Sequence, residues 1–460
     1  MYLRKTSAKL AGCLLALALA QALDARAAAD PRDGEVDQVP KGDLLVPRLL
    51  GVQFTMMRQH QYAMRSPYAS SVSLLADGDT QSTFTTGVYL GMPLRRNLEA
   101  YLDLERFQGE GISNATGLAS LTDGDSIRAG TQGLGKDPYI ARAYLRYLIP
   151  FGNGSQETVR SMDSLPGRES DSHLEIKAGV LAVNDDFDRN RYANATRTQF
   201  QNWSLWNNTA WDFAADTRGY TDGAVLAWVS PRWELRLGVY QMPVHANGQE
   251  LDSSLSRSRG QNLELTWRQP GDNGAVLRLL AYQNVARMGV YRNAIAAAQA
   301  QGSAPDITAD DQPGRRKHGF GVNLEQPLAD KGETGLFLRL GWNNGSTETF
   351  AFTEMDRHLS FGGQLDGMHW GRPDDRFAVG IVVGGLSAPH RDYLAAGGLG
   401  FVVGDGKLNY GTEQVAEVYY RLQPFRFLQI SPDFQYIRNP AYNRDRGPVR
   451  VVGFRIHAEY

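Results

Sequence analysis

The chain has 460 residues, a formal net charge of -2 and a mean hydropathy of -0.39. That near-neutral balance excludes a charge-driven partner such as nucleic acid. The length exceeds a typical single globular domain but suits one large barrel, and 49 glycines with 8 Trp, 20 Tyr and 18 Phe suit many strands and turns.

Residues 1–29 read as a signal peptide. Arg4, Lys5 and Lys9 are basic, and Leu10 to Leu23 is apolar apart from Gly12 and Gln21. Small residues from Ala25 to Ala29 offer cleavage. The apolar run is too short to cross about 30 Å of hydrocarbon as a helix. Leu10-Ala11-Gly12-Cys13 looks like a lipoprotein box, but the apolar run follows Cys13, so lipidation is not expected. Cleavage near Ala29 removes the single cysteine and with it all thiol chemistry. Residues 30–49, with Pro31, Pro40 and Pro47, read as a periplasmic lead-in.

Residues 50–460 then read as strand after strand. The expected strands are 50–58, 80–92, 97–107, 139–149, 173–183, 221–230, 232–242 and 261–269. They continue with 275–286, 316–326, 334–344, 357–365, 376–386, 413–422, 426–437 and 449–460. Sixteen is an even number, as bacterial membrane barrels require. No later stretch has 18 consecutive apolar residues. Strand side chains alternate between faces, so a barrel's lipid-facing residues are diluted by polar ones.

The alternation separates two faces. In 97–107, Leu98, Ala100, Leu102 and Leu104 oppose Glu99, Tyr101, Asp103 and Glu105. In 139–149, Ala141, Ala143, Leu145 and Tyr147 oppose Arg142, Tyr144 and Arg146. Trp233, Leu235, Leu237 and Val239 oppose Glu234, Arg236 and Tyr240, while Leu336, Leu338, Leu340 and Trp342 oppose Arg339 and Asn343. The last stretch sets Val452, Phe454, Ile456, Ala458 and Tyr460 against Arg455, His457 and Glu459. The apolar face suits lipid and the polar face a wet lumen. Several runs end near Trp or Tyr, as interfacial girdles do.

Residues 93–96 and 423–425 read as tight periplasmic turns. Residues 108–138, 184–220, 287–315 and 387–412 read as long loops, extracellular or folded inward. Ala294 to Ala300 and His390 to Ala396 suit short helices. There is no internal repeat of 20 to 50 residues.

Catalytic signatures are missing. There is no GxSxG, HExxH, P-loop or GxGxxG after a strand, and the eight histidines have no metal spacing. Asp186 to Asn190 opens like a calcium loop, but Arg191 and Arg197 stand where Gly and Glu belong, so it reads as a polar loop. No enzyme, metal or cofactor is expected. The inward basics (Arg142, Arg146, Arg236, Arg268, Arg339, Arg421, Arg455) and acids (Glu99, Asp103, Glu105) fall on different strands. Opposed charge in a narrow pore orients polar solutes and ions. Arginine also offers a planar fork of donors for sugar hydroxyls, and aromatic rings offer a face. The bland alternative is that these arginines only pair with neighbouring acids.

Several stretches resemble the carbohydrate-selective porin family of Gram-negative bacteria. They include Gln59 to Tyr62, Ser66 to Tyr68, Gln108 to Ser113 and Thr116 to Leu118. Asp185 to Asn194, Arg197 to Phe200, Trp211-Asp212, Ala215 to Tyr220, Trp233 to Pro243 and Ala246 to Gly248 follow. Gly398 to Phe401, Gly404 to Gly406, Glu417 to Tyr420, Pro432 to Tyr436, Asn439-Pro440 and Gly453 to His457 complete the order. The resemblance covers roughly residues 50–460. It implies an all-β, 16-stranded antiparallel transmembrane β-barrel with short helices in loops, placed in the cell outer membrane. Sugars would diffuse passively through a constriction narrowed by inward loops and faced by arginines.

The candidate pore-lining residues are Arg142, Arg146, Glu99, Tyr101, Asp103, Arg106, Tyr144, Arg236 and Arg339. Alternation aims Arg106 at lipid, so it lines the pore only if a bulge re-aims it. Family members commonly end in Phe; here Tyr460 is the expected handle for the barrel-assembly machinery. Expected partners are small carbohydrates, other small polar solutes and outer-membrane lipid. Monomer against homotrimer is left open. The alternatives are a channel for organic acids or ions, or an outer-membrane enzyme or adhesin.

Overall fold

The computed structural model describes residues 48–126, 134–350 and 354–460. The expected signal peptide and the lead-in up to residue 47 lie outside the described residues. Strands β1 (Leu49–Gln61), β2 (Asp79–Arg95), β3 (Leu98–Gly109) and β4 (Tyr139–Pro150) come first. A small hairpin follows, β5 (Ser155–Thr158) with β6 (Gly167–Ser170). Then come β7 (His173–Leu181), β8 (Thr221–Val229), β9 (Trp233–Tyr240), β10 (Arg259–Arg268), β11 (Val276–Met288) and β12 (Gln312–Ala329). The last are β13 (Thr334–Asn343), β14 (Arg357–Asp366), β15 (Arg376–Gly385), β16 (Glu413–Phe425), β17 (Leu428–Arg438) and β18 (Val449–Glu459).

Apart from the hairpin, these strands close into one antiparallel barrel in chain order. It is the 16-stranded barrel that the alternation predicts. β1 meets β18 from Gln53↔Glu459 to Gln61↔Val451, and Val52 and Tyr460 exchange backbone hydrogen bonds of 3.0 Å. Closure leaves no unpaired strand edge, the condition for crossing lipid with β-structure.

Side-chain period decides what each face meets. On β9, Trp233, Leu235, Leu237 and Val239 are exposed on the outside, while Glu234, Arg236 and Tyr240 are buried inside. β13 and β18 repeat the pattern, with Leu336, Leu340, Val452 and Phe454 outside and Arg339, Asn343, Arg455 and His457 inside. Outward aromatics gather at one end: Trp228, Trp233, Trp370, Phe427 and Tyr460, with Phe151 stacked on Trp228. Most connections at that end are short, as between Arg95 and Leu98 or Phe425 and Leu428, and both chain ends of the barrel lie there. This asymmetry marks it as the periplasmic end.

The structure moves some local expectations. Residues 93–96 and 423–425 are mostly strand, and the turns fall one to three residues later. Pro93 is tolerated because it pairs with Glu99 beside a register shift, near a strand end. Ala141, expected to face lipid, is fully buried. The β3–β4 register runs Asp103↔Arg142 then Leu104↔Ile140, so Ala141 is the extra residue of a bulge. It packs with Val180, Ala182 and Tyr220.

The lumen is largely filled. Residues 182–220, between β7 and β8, fold inward and carry Phe187, Tyr192, Phe200, Trp203, Leu205 and Trp211, all buried. A loop inside a barrel needs partners for its own backbone groups. Arg339 reaches the carbonyls of Leu205 (2.8 Å), Asp188 (3.1 Å) and Ala193 (2.7 Å), and pairs with the Asp188 carboxylate (3.0 Å). Arg455 donates to the carbonyls of Thr196 and Gln199, each at 2.6 Å. Glu417 accepts from the backbone N–H groups of Gln201 (2.6 Å) and Asn202 (3.0 Å). Residues 110–126 are pinned likewise: Gln59 donates to the Thr122 carbonyl and accepts from its hydroxyl, both at 2.7 Å. At the extracellular end the expected helices form, Tyr291–Gln301 and Ala388–Ala395, and the Tyr291 and His390 rings stack at 4.5 Å.

Arg339→Ala leaves the buried Asp188 carboxylate without its cation and removes the guanidinium donor from the carbonyls of Leu205, Asp188 and Ala193. The expected loss is about 3–5 kcal/mol, seen as a lower denaturant midpoint in detergent while the strand signal of circular dichroism persists. An unchanged midpoint would count against the anchoring role.

Candidate functional site

Between the inward loops and strands β3 and β4 lies a cavity of about 300 Å³ lined by Glu105, Asp125, Arg142, Asp185, Arg197, Trp203, Trp206, Phe213 and Tyr220. One wall is charged. The Glu105 carboxylate accepts from Tyr89 (2.8 Å), Tyr220 (2.8 Å), Tyr139 (3.2 Å) and Arg197 (2.7 Å). Arg197 also pairs with Asp125 at 3.1 Å. Arg142 grips Asp185 through two donors (2.5 and 2.9 Å) and meets Asp103 at 3.3 Å. Paired this way, the guanidinium planes are held in place at little cost in mobility.

Aromatic rings from the inward loop also line this cavity. Asn202 caps the short helix Trp203–Trp206 by accepting from the Ser204 N–H at 3.0 Å. The turn sets Trp203 and Trp206 edge to face at 4.7 Å, with Phe213 stacked on Trp203 at 6.3 Å. Gly124 passes so close that a Cβ there would lie 2.5 Å from the Trp206 indole nitrogen. That nitrogen and Nη2 of Arg197 are buried donors with no hydrogen-bond partner among the described residues. An unmet buried donor costs about 1–3 kcal/mol. Behind the wall, Asp123 accepts from the Thr83 hydroxyl and the Asp125 N–H, both at 2.8 Å. Burial, and then the Asp125 charge, push its carboxyl up to about 7 against the pull of those donors.

A second cavity, of about 340 Å³, lies further along β4 toward the periplasm. Tyr101, Tyr144, Arg146, Glu169, Glu175, Lys177 and Arg236 line it. Arg146 meets Glu169 (2.6 Å), Glu175 (2.7 Å) and Glu99 (3.3 Å), and Tyr101 stacks on Tyr144 at 5.0 Å. Arg236 pairs with Glu234 (2.6 Å), Asp186 (2.8 Å) and Glu175 (2.9 Å).

The expected pore-lining residues therefore divide. Arg142 borders the upper cavity, with Asp103 paired behind it. Arg146, Tyr101, Tyr144 and Arg236 line the lower one, and Glu99 bonds Arg146 and Tyr101 beside it. Two expectations need correction. Arg106 is exposed on the outer face and donates to the Lys136 carbonyl at 3.0 Å; the bulge that could have re-aimed it falls on β4 instead. Arg339 has no exposed surface, because the inward loop covers it. The acids of the polar loop opening at Asp186 pair with side-chain cations: Asp186 meets Lys177 and Arg236, and Asp188 meets Arg339.

Arg197, Asp125, Asp185, Trp203, Trp206, Phe213 and Tyr220 were not singled out as pore residues in the sequence. They sit in loops, where period 2 gives no facing. The usable signal was the density of tryptophan in 203–211, unusual for a solvated loop.

Residues 73–460 match the carbohydrate-selective porin, OprB family. The structure is similar to that of Pseudomonas putida OprB at high pH, with a TM-score of 0.67 and 15% identity, covering 89% of this chain and 94% of that one. A low-pH structure of the same protein aligns with a TM-score of 0.43 at 14% identity over 89% and 93% of the two chains. The outer membrane protein opdK from Pseudomonas aeruginosa gives 0.38 at 12% over 89% and 98%. No curated protein matches the sequence significantly. The family match spans most of the chain, and the closed barrel with its inward loops is the matching architecture: the chain belongs to the carbohydrate-selective porin, OprB family, as an outer-membrane porin.

Proposed function

We propose that this porin passes sugars by passive diffusion through the upper cavity, with no covalent step. The observation that carries the reading is the pairing of walls. Trp203, Trp206 and Phe213 face a fixed array of Arg142, Arg197, Glu105 and Asp185. A sugar has apolar C–H faces and a rim of hydroxyls that both donate and accept, so it matches both walls. The volume, about 300 Å³, sits at the small end of ligand pockets, which run from roughly 300 to 1,000 Å³. The organic-acid alternative fits less well, because Arg142 and Arg197 each already meet two carboxylates. Export by residues 1–29 and insertion through the C-terminal strand ending at Tyr460 complete this reading.

In planar bilayers, Trp206→Ala and Arg197→Ala are each expected to weaken sugar block of the current about tenfold, the loss of ~1.4 kcal/mol. Arg142→Ala leaves Asp103 and Asp185 without their shared cation, so its reversal potential should move toward cation selectivity. Unchanged block and selectivity in all three variants would overturn the assignment.

The raised Asp123 carboxyl sets a pH dependence. Its folded-state value, about 7, exceeds the ordinary 3.8. Its contribution to loop seating is therefore complete below 3.8 and is lost as pH rises through about 7. Ionisation adds a negative charge beside Asp125. Cation selectivity should increase between about pH 6 and about pH 8, and Asp123→Asn should flatten that change. A variant with the wild-type pH profile would assign the titration elsewhere.

A further inference from the structure

One periplasmic connection is unlike the others. β4 and β7 are joined by residues 151–172, whereas β2–β3, β8–β9 and β16–β17 are joined by tight turns. The long connection does not hang into the periplasm. Its β5–β6 ladder, Ser155↔Ser170 to Thr158↔Gly167, carries a tip that folds against the neighbouring barrel wall. The tip touches β1, three strands away from β4 in the barrel order. Arg160 donates to the Leu50 carbonyl at 2.9 Å and lies 5.2 Å over the Tyr460 ring. Leu165 is buried against Leu49 and Tyr101. Met162 rests on the inner face of β1 at Gly51, where a Cβ would fall 2.0 Å from the Met162 carbonyl oxygen. The return strand is tied to the wall by Glu169 and Arg146 at 2.6 Å.

This hairpin encloses the lower cavity. Gln156, Thr158, Ser164, Leu165 and Glu169 supply one side of it, and Tyr101, Tyr144 and Arg146 the other. Met162 also borders the upper cavity, so the hairpin contributes to the lining of both spaces. The lower space repeats the chemistry of the upper one: a stacked aromatic pair beside an arginine held among carboxylates.

We propose that residues 151–172 form a second constriction in series with the upper one, and that the cavity they enclose with Tyr101, Tyr144 and Arg146 is an exit subsite for a sugar. The subsite rests on the proposed function; the constriction does not. A solute leaving Trp206 would meet the tyrosine pair before reaching the periplasm, so a short oligosaccharide would be handed from one site to the next.

The test is recording from the intact barrel in planar bilayers, with glucose or maltotriose added to one side at a time. Two variants open the mouth. Gly51→Val displaces the tip by putting a side chain where Met162 lies, with no change to the hairpin itself. A second variant joins Pro150 to His173 by a short turn. Both should raise salt conductance roughly twofold, the result of removing one of two comparable resistances in series. Both should also abolish a component of sugar block seen from the periplasmic side and keep the block seen from the extracellular side. Wild-type conductance in both variants, with the barrels folded and heat-modifiable on gels, would overturn the constriction. Raised conductance with periplasmic-side block intact would overturn the subsite. Raised conductance in a channel that no sugar blocks would uphold the constriction and refute the sugar reading of both cavities.

Discussion

The structure depends on one constraint: a chain folded into a barrel must satisfy its backbone there. Residues 182–220 leave water, and each peptide group they bury needs a partner. The strands supply it with charged side chains at inward positions. Arg339 and Arg455 donate to loop carbonyls, and Glu417 accepts from loop N–H groups. Glu264 accepts from the Asp188 N–H at 2.7 Å, and Glu413 from that of Ser120 at 2.7 Å. The barrel wall is thus a template of ions that reads the loop's main chain. A charge buried this way is strongly destabilising to remove from its partner, which makes the loop's position specific.

The passage is what that docking leaves over. The loop buries Phe200 toward β13 and β15, Phe187 toward β8 and β9 and Trp211 toward β11, while Trp203, Trp206 and Phe213 border the cavity beside β3 and β4. The strands answer with carboxylates and arginines already paired to one another. Paired groups act on a passing solute as oriented dipoles and fixed hydrogen-bonding forks rather than as bare charges. Such a wall suits a neutral polyhydroxylated solute, which exchanges hydrogen bonds without binding too tightly to leave. The hairpin 151–172 borders a second cavity of similar lining, with Tyr101, Tyr144 and Arg146.

Much of the fold was legible because lipid and lumen impose period 2. Every expected strand corresponds to a barrel strand, and Arg142, Arg146, Tyr101 and Tyr144 take their inward places by alternation. Legibility failed where alternation breaks. The bulge at Ala141 inverted one expected facing, and Pro93 marked a strand end rather than a turn. An inward arginine such as Arg339 has the same pattern as Arg142, yet one is sealed under the loop and the other borders the passage.

The amino-acid sequence by itself determined the barrel: strand number, facing and closure follow from alternating polarity, which is local and is read residue by residue. Only the tertiary structure decided the pore. That Arg339 is sealed under the loop, that Trp206 and Arg197 border one cavity, and that the hairpin 151–172 rests on β1 are outcomes of long-range docking. Loop residues have no fixed period, and their facing is set by partners hundreds of residues away, as Arg455 is for Thr196 and Glu417 for Gln201.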